Sequence, residues 1–283
     1  MCDEDTVIES NSYLAQESKM GRRDFNKLAV GAAAILMLPP VANALEVVGH
    51  DVMVNTPDGD ADCYFVHPAK GKHPGVIIWP DILGLRPAFR LMGERLAKSG
   101  YSVLVVNPYY RSARSPVIEP GASFQDAKTR NRVMPYYRAL SAETNVTDAK
   151  AYVAYLDAQN AVDVKRKIGT TGYCMGGPMV MRTAAALPER IGAGGSFHGS
   201  GLVTNDAESP HLLIKNMQAD LLIAVAANDD ERAPNDKEVL RKTAAKYGLK
   251  AEIEVYEGAM HGWCPPDSRV YHEKQAEQAW ARL

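Results

Sequence analysis

The sequence predicts an α/β domain, a mostly parallel sheet of about eight strands flanked by helices, and three features predict it. From residue 45 onward, short apolar runs alternate with segments of helical period. Several runs are apolar on both faces, among them Val76-Ile77-Ile78-Trp79 and Val103-Leu104-Val105-Val106. Strands covered on both sides by helices have that composition, whereas half-exposed strands alternate. The helical segments stop where glycine offers a C-terminal cap, at Gly100 and Gly248.

Taken in order, the expected strands cover residues 46–54, 62–67, 75–80, 102–107, 167–172, 192–197, 221–226 and 251–256. The expected helices cover residues 87–98, 146–157, 178–187 and 236–247. No internal repeat, low-complexity tract or linker divides residues 45–283, so they form one domain. Chemistry in such a domain is expected at the carboxyl ends of the strands.

Composition narrows the partners. With 283 residues, 46% apolar and 23% charged positions and a net charge of −2, the chain has no basic excess. Nucleic acid and anionic membrane surfaces favour a basic patch, so neither is expected as a partner. The four cysteines, Cys2, Cys63, Cys174 and Cys264, form no C-x-x-C pair, so neither a zinc knuckle nor a thioredoxin-type dithiol is suggested.

Residues 1–44 read as an N-terminal extension and export signal. Around Arg22 the chain runs Met-Gly-Arg-Arg-Asp-Phe-Asn-Lys, then an apolar stretch over residues 28–38, then Pro39-Pro40 and Ala42-Asn43-Ala44. A charged start, a short apolar core and a small-x-small site make a signal peptide, with cleavage expected after Ala44. The paired arginines resemble the twin-arginine signal, which implies the twin-arginine translocation machinery as a partner and the periplasm as destination. The apolar stretch ends too early to span a bilayer about 30 Å thick, so no stable membrane insertion is expected once the signal is removed. Residues 1–19 are acidic and polar, no structure is expected of them, and either Met1 or Met20 is the start.

After the strand ending near Thr171 comes Gly172-Tyr173-Cys174-Met175-Gly176-Gly177, followed by Pro178 and an apolar helical run. This is the cysteine form of the nucleophile elbow, the strand-turn-helix of α/β-hydrolases. Small residues two before and two after the nucleophile let strand and helix approach, and the helix N-terminus lowers the thiol pKa. A buried structural cysteine in a glycine-rich turn is the alternative.

At these residues the chain resembles the dienelactone hydrolase family, over essentially all of residues 46–283. The resemblance implies a nucleophile, acid and base in that chain order. Asn228-Asp229-Asp230-Glu231-Arg232-Ala233-Pro234 is similar to the family's D-x-x-x-P acid loop, and that spacing selects Asp230, with Asp229 in reserve. Tyr256-Glu257-Gly258-Ala259-Met260-His261-Gly262-Trp263 is similar to its Y-x-G-x-x-H-G-F, which makes His261 the base of Cys174. The amides of Ile82 and Met175 are then the oxyanion donors. Asp81, just before Ile82, stands where the family carries an acidic residue that gates the resting thiol, although a capping role suits it equally.

The implied reaction is cleavage of a small-molecule ester or lactone through a thioester, with no metal and no cofactor. Where the family places a substrate-holding arginine, four residues beyond the histidine, this chain has Pro265. Arg111 and Arg114 are candidates to replace that charge, and His198 and Trp263 are further candidates to line the pocket. The remaining histidines read as structural or solvent-facing. The competing reading is a non-catalytic or thiol-redox-regulated relative, in which Cys264, three residues from His261, pairs with Cys174.

Overall fold

The computed structural model describes residues 4–17 and 37–283. Eight strands form a single sheet: β1 Val47–Thr56, β2 Gly59–Pro68, β3 Gly75–Trp79, β4 Ser102–Val106, β5 Ile168–Tyr173, β6 Ile191–Phe197, β7 Asp220–Ala226 and β8 Ala251–Tyr256. Their order is β1-β2-β4-β3-β5-β6-β7-β8. β1 pairs with β2, and β2 with β4, antiparallel, while every other neighbouring pair is parallel. All eight expected strands are present, with ends moved by a few residues.

Eight α-helices are described: α1 Glu4–Glu17, α2 Pro87–Lys98, α3 Ala127–Arg138, α4 Ala142–Asp157, α5 Gly176–Ala186, α6 Ala227–Arg232, α7 Asp236–Lys246 and α8 Glu273–Arg282. A 3₁₀ segment spans Pro210–Asn216. Helix α4 starts earlier than its apolar period suggests, because Ser141 and Thr144 close a capping box ahead of it. Helix α3 was not anticipated: it buries only Thr129 and Val133 and carries Pro135 inside, so its sequence lacks an apolar stripe.

The doubly apolar strands separate two cores. Ile77, Leu104 and Ile223 face the cluster closed by Tyr152 of α4, Val180 of α5 and Leu240 of α7. Their neighbours Ile78, Val105 and Leu222 face a second cluster closed by Phe89 of α2 and Ala279 of α8. Side chains alternate across a strand, so each strand feeds both cores.

Residues 1–19 were expected to lack structure, and Glu4–Glu17 corrects that. Val7 and Ser10, one turn apart, are buried against the body of the protein. The acidic composition hid this because the buried face is only a few residues wide. The apolar core of the expected export signal falls largely on residues 18–36, outside the described residues. Ala42 to Ala44, where cleavage is expected, are exposed. Among the described residues no helix is long and apolar enough to cross a membrane.

The chain passes from β3 to β4 on one side and later returns to place β5 on the other side of β3. That reversal opens a crevice at the strand ends. It closes tightly because Gly172 of β5 and Gly176 of α5 carry no side chain. A Cβ on Gly172 would overlap the Gly176 carbonyl and approach Val180, and one on Gly176 would overlap the Trp79 carbonyl. Gly172→Ala is therefore expected to lower unfolding stability by about 1–3 kcal/mol, read from urea melts. An unchanged midpoint would show that strand and helix can part freely.

Candidate active site

Five parallel strands deliver their carboxyl ends to one rim. After β3 come Asp81 and Ile82, after β5 Cys174, after β6 His198, after β7 Asn228 and Asp229, and after β8 His261. Asp81, Ile82, Cys174, His198 and His261 line one cavity of about 70 Å³.

Cys174 occupies a left-handed backbone conformation, φ +54°, at the turn from β5 into α5. Non-glycine residues are rarely held there, and the cost is on the order of 1–3 kcal/mol. The turn is fixed by the Gly177 amide on the Cys174 carbonyl at 3.0 Å, and by the Cys174 amide, which lies 3.1 Å from both the Phe197 carbonyl and His198 Nδ1. Cys174 is disulfide-bonded, whereas Cys63 and Cys264 are free thiols. The expected Cys174–Cys264 pairing is therefore not formed. The reason is the sheet itself: Cys174 belongs to one core and Cys264 to the other. Burial holds the Cys264 thiol well above its ordinary pKa, which makes it a poor exchange partner.

His261 is buried, and its Nδ1 lies 2.7 Å from Asp229 Oδ2. A carboxylate can only accept there, so Nδ1 carries the proton and Nε2 is left as the basic nitrogen. The Asp229 Oδ1 atom takes Arg232 Nη2 at 2.8 Å. Burial opposes ionisation of Asp229, but His261 and Arg232 outweigh it and hold the carboxyl below its ordinary pKa. The spacing-based choice of Asp230 is corrected here: both Asp230 oxygens bind Lys237 Nζ, at 2.6 and 2.7 Å. Successive residues of the single-turn α6 point about 100° apart, so only one of the two aspartates can face His261. Asn228, unremarked in the sequence, accepts the His261 amide at 2.8 Å and fixes the histidine's backbone.

The amides expected to form an oxyanion hole are backed by Tyr109. Its hydroxyl donates to the Ile82 carbonyl at 2.9 Å and lies 3.1 Å from the Met175 sulfur. Asp81, read as a thiol gate or a cap, lines the cavity with both oxygens engaged. One oxygen accepts the Leu83 amide and Arg86 Nη1, at 2.9 and 2.7 Å, and the other accepts Arg86 Nη2 at 2.9 Å. Arg86 also grips Asp267 through Nε and Nη2, at 2.6 and 2.9 Å. The buried guanidinium thus bolts the loop after β3 to the loop beyond His261. The distance of 181 residues between Arg86 and Asp267 left no trace in the sequence.

Three pocket candidates lie elsewhere. Arg111 is held by Asp58 and Asp148, and Arg114 by the Asp60 carbonyl and Asp62, so neither lines the cavity. Trp263 is fully buried, stacked on Tyr256 behind the His198 ring. His198 does line the cavity. Its backbone has φ +39°, its ring centroid lies 5.1 Å from that of His261, and its Nε2 has no hydrogen-bond partner among the described residues. Among those residues no group of three or more His, Cys, Asp or Glu side chains is arranged to hold a metal ion.

An eight-stranded, mostly parallel sheet with a nucleophile elbow after its central strand defines an α/β-hydrolase. The chain belongs to the dienelactone hydrolase family, whose model matches residues 61–283, and it is a hydrolase. A Synechocystis protein described as a "putative carboxymethylenebutenolidase" is 29% identical over 225 residues, covering 78% of this chain and 88% of that protein. A "putative dienelactone hydrolase" of Klebsiella pneumoniae superposes with a TM-score of 0.72 at 21% identity, covering 84% of this chain and 96% of that one. A dienelactone hydrolase-like promiscuous phosphotriesterase from metagenomic libraries gives 0.66 at 20%, covering 83% and 95%. At those identities the two structures establish the fold.

Burial, reinforced by the neighbouring His261, holds the His198 imidazole well below its ordinary pKa of 6.5. Between the folded and unfolded values only the unfolded chain binds the proton. His198 therefore favours unfolding as pH falls below 6.5, by up to about 1.4 kcal/mol per pH unit. Urea unfolding between pH 4.5 and 7.5 should give His198→Gln a shallower slope than the native protein. Equal slopes would mean that His198 is protonated in the fold.

Proposed function

We propose that the chain hydrolyses a small-molecule ester or lactone, with Cys174 as nucleophile, His261 as general base and Asp229 as the acid that orients it. The observation that carries this reading is the pairing of an elbow cysteine at φ +54° with a histidine in the same cavity, its Nδ1 fixed by a carboxylate.

The reacting form is the reduced thiol, so an external dithiol must first reduce the disulfide at Cys174 by thiol–disulfide exchange and become oxidised itself. His261 Nε2 takes the thiol proton, and the thiolate attacks the carbonyl carbon. The amides of Met175 and Ile82 stabilise the oxyanion. Its collapse breaks the ester C–O bond, His261 protonates the departing alkoxide, and a thioester remains. His261 then deprotonates a water, whose attack releases the carboxylic acid and returns the thiol. Asp229 keeps the imidazole in the productive tautomer and stabilises its charged form. His198, kept neutral by burial, adds no positive charge beside His261, and its hydrogen bond from the Cys174 amide steadies the elbow.

A thiolate suits strained lactones and activated esters better than amides. The domain division after Ala44, export through the twin-arginine machinery and a periplasmic destination belong to the same proposal. They are supported by the paired arginines and the small-x-small site of the sequence.

Hydrolysis of p-nitrophenyl acetate should appear once dithiothreitol has reduced the protein, and should vanish in Cys174→Ala. Asp229→Asn should lower kcat by on the order of 10²–10⁴, whereas Asp230→Asn should stay within about twofold. Turnover that survives Cys174→Ala would end the assignment of the nucleophile.

A further inference from the structure

Helix α1 sits on the proposed catalytic cavity. Val7 and Ser10 are among its lining residues, together with Cys174, His198 and His261. Both are buried, and their neighbours Ile8 and Asn11 point outward, so the helix presents one narrow face to the pocket. Beside that face, Glu9 fastens the helix to the acid loop. Its Oε2 accepts Asn228 Nδ2 at 2.6 Å, and its Oε1 lies 3.4 Å from Arg232 Nε. These two residues also serve the catalytic histidine: Asn228 holds the His261 amide and Arg232 holds the far oxygen of Asp229.

With α1 seated, the space around Cys174 and His261 is about 70 Å³. Pockets that take up small ligands enclose roughly 300–1,000 Å³. The space observed is well below that range. The helix that narrows it is acidic, and its contacts with the rim include the Glu9 carboxylate and the buried Val7 and Ser10. Such a contact is strong enough to dock a tethered segment and weak enough to let it leave.

We propose that α1 is an intramolecular plug: it docks by Val7, Glu9 and Ser10 on the mouth of the active site and keeps substrate out until it is released. The proposal rests on reading this cavity as the catalytic centre. Helix α1 precedes the proposed cleavage after Ala44, so removal of residues 1–44 would discard the plug together with the export signal. Cleavage would then open the site in the compartment where the mature domain works.

The test compares the full chain with its Val7→Arg and Glu9→Lys variants, all in excess dithiothreitol. Val7→Arg forces a charge into a buried position, and Glu9→Lys sets a cation against Arg232. Neither position belongs to the α/β domain, so its fold is left intact. The first readout is the rate at which iodoacetamide alkylates Cys174, followed by peptide mass spectrometry. A plug docked nine-tenths of the time slows access about tenfold, so both variants should be alkylated about ten times faster than the native chain. The second readout is kcat/KM for p-nitrophenyl butyrate, which should rise in parallel and vanish when Cys174→Ala is added. Alkylation rates within twofold across all three proteins would overturn the plug, whatever the hydrolysis shows. Faster alkylation without hydrolysis would uphold the plug and remove the hydrolase mechanism instead.

Discussion

The turn that carries Cys174 is the constraint on which the rest of the site depends. The residue is held at φ +54°, which an L-amino acid adopts only when its surroundings leave no alternative. The surroundings here are two close approaches, of Gly172 to Gly176 and of Gly176 to the Trp79 carbonyl. They let α5 pack closely against β5 and β3, with Cys174 and Met175 at the turn between strand and helix. In the proposed mechanism, the nucleophile and half of the oxyanion site thus come from one packing event.

Around this turn the partners are positioned by polar contacts between loops distant in sequence. Arg86 joins the loop after β3 to the loop beyond His261 through two carboxylates. Asn228 and Asp229 hold the backbone and the ring of His261. Buried ion pairs of this kind add little net stability, because desolvation offsets the attraction between the charges, but they are costly to break singly. Their effect is geometric: the loops are joined into a frame that holds His261 at the cavity.

The site is also guarded. Its thiol is held in a disulfide, and its mouth is occupied by a helix from the far N-terminus. A reactive cysteine is the most easily oxidised group of a hydrolase of this kind, and an oxidising compartment exposes it. Burial of Cys63 and Cys264 with elevated pKa values keeps the remaining described thiols out of exchange with it.

Much of this was legible in the sequence. Short apolar runs bounded by turn residues, several of them apolar on both faces, gave all eight strands, and the glycines flanking Cys174 marked the elbow, because backbone sterics leave a local signature. The family resemblance pointed to Ile82 and His261 and the elbow motif to Met175, and all three lie just past strand ends. Legibility failed where side chains had to choose a direction. Asp229 and Asp230 are adjacent and chemically identical, and only the packing of α6 turns one toward His261 and the other toward Lys237. Asp81 could be read as a thiol gate or a cap until Arg86 was seen to hold both its oxygens, and Arg111 as a substrate anchor until Asp58 and Asp148 were seen to neutralise it. The chain by itself determined the strand pattern and the elbow turn at Cys174, since both follow from local periodicity and steric limits. Only the tertiary structure decided which carboxylate serves the histidine, which charges are already spent and what covers the pocket, because those outcomes depend on contacts between segments up to 219 residues apart.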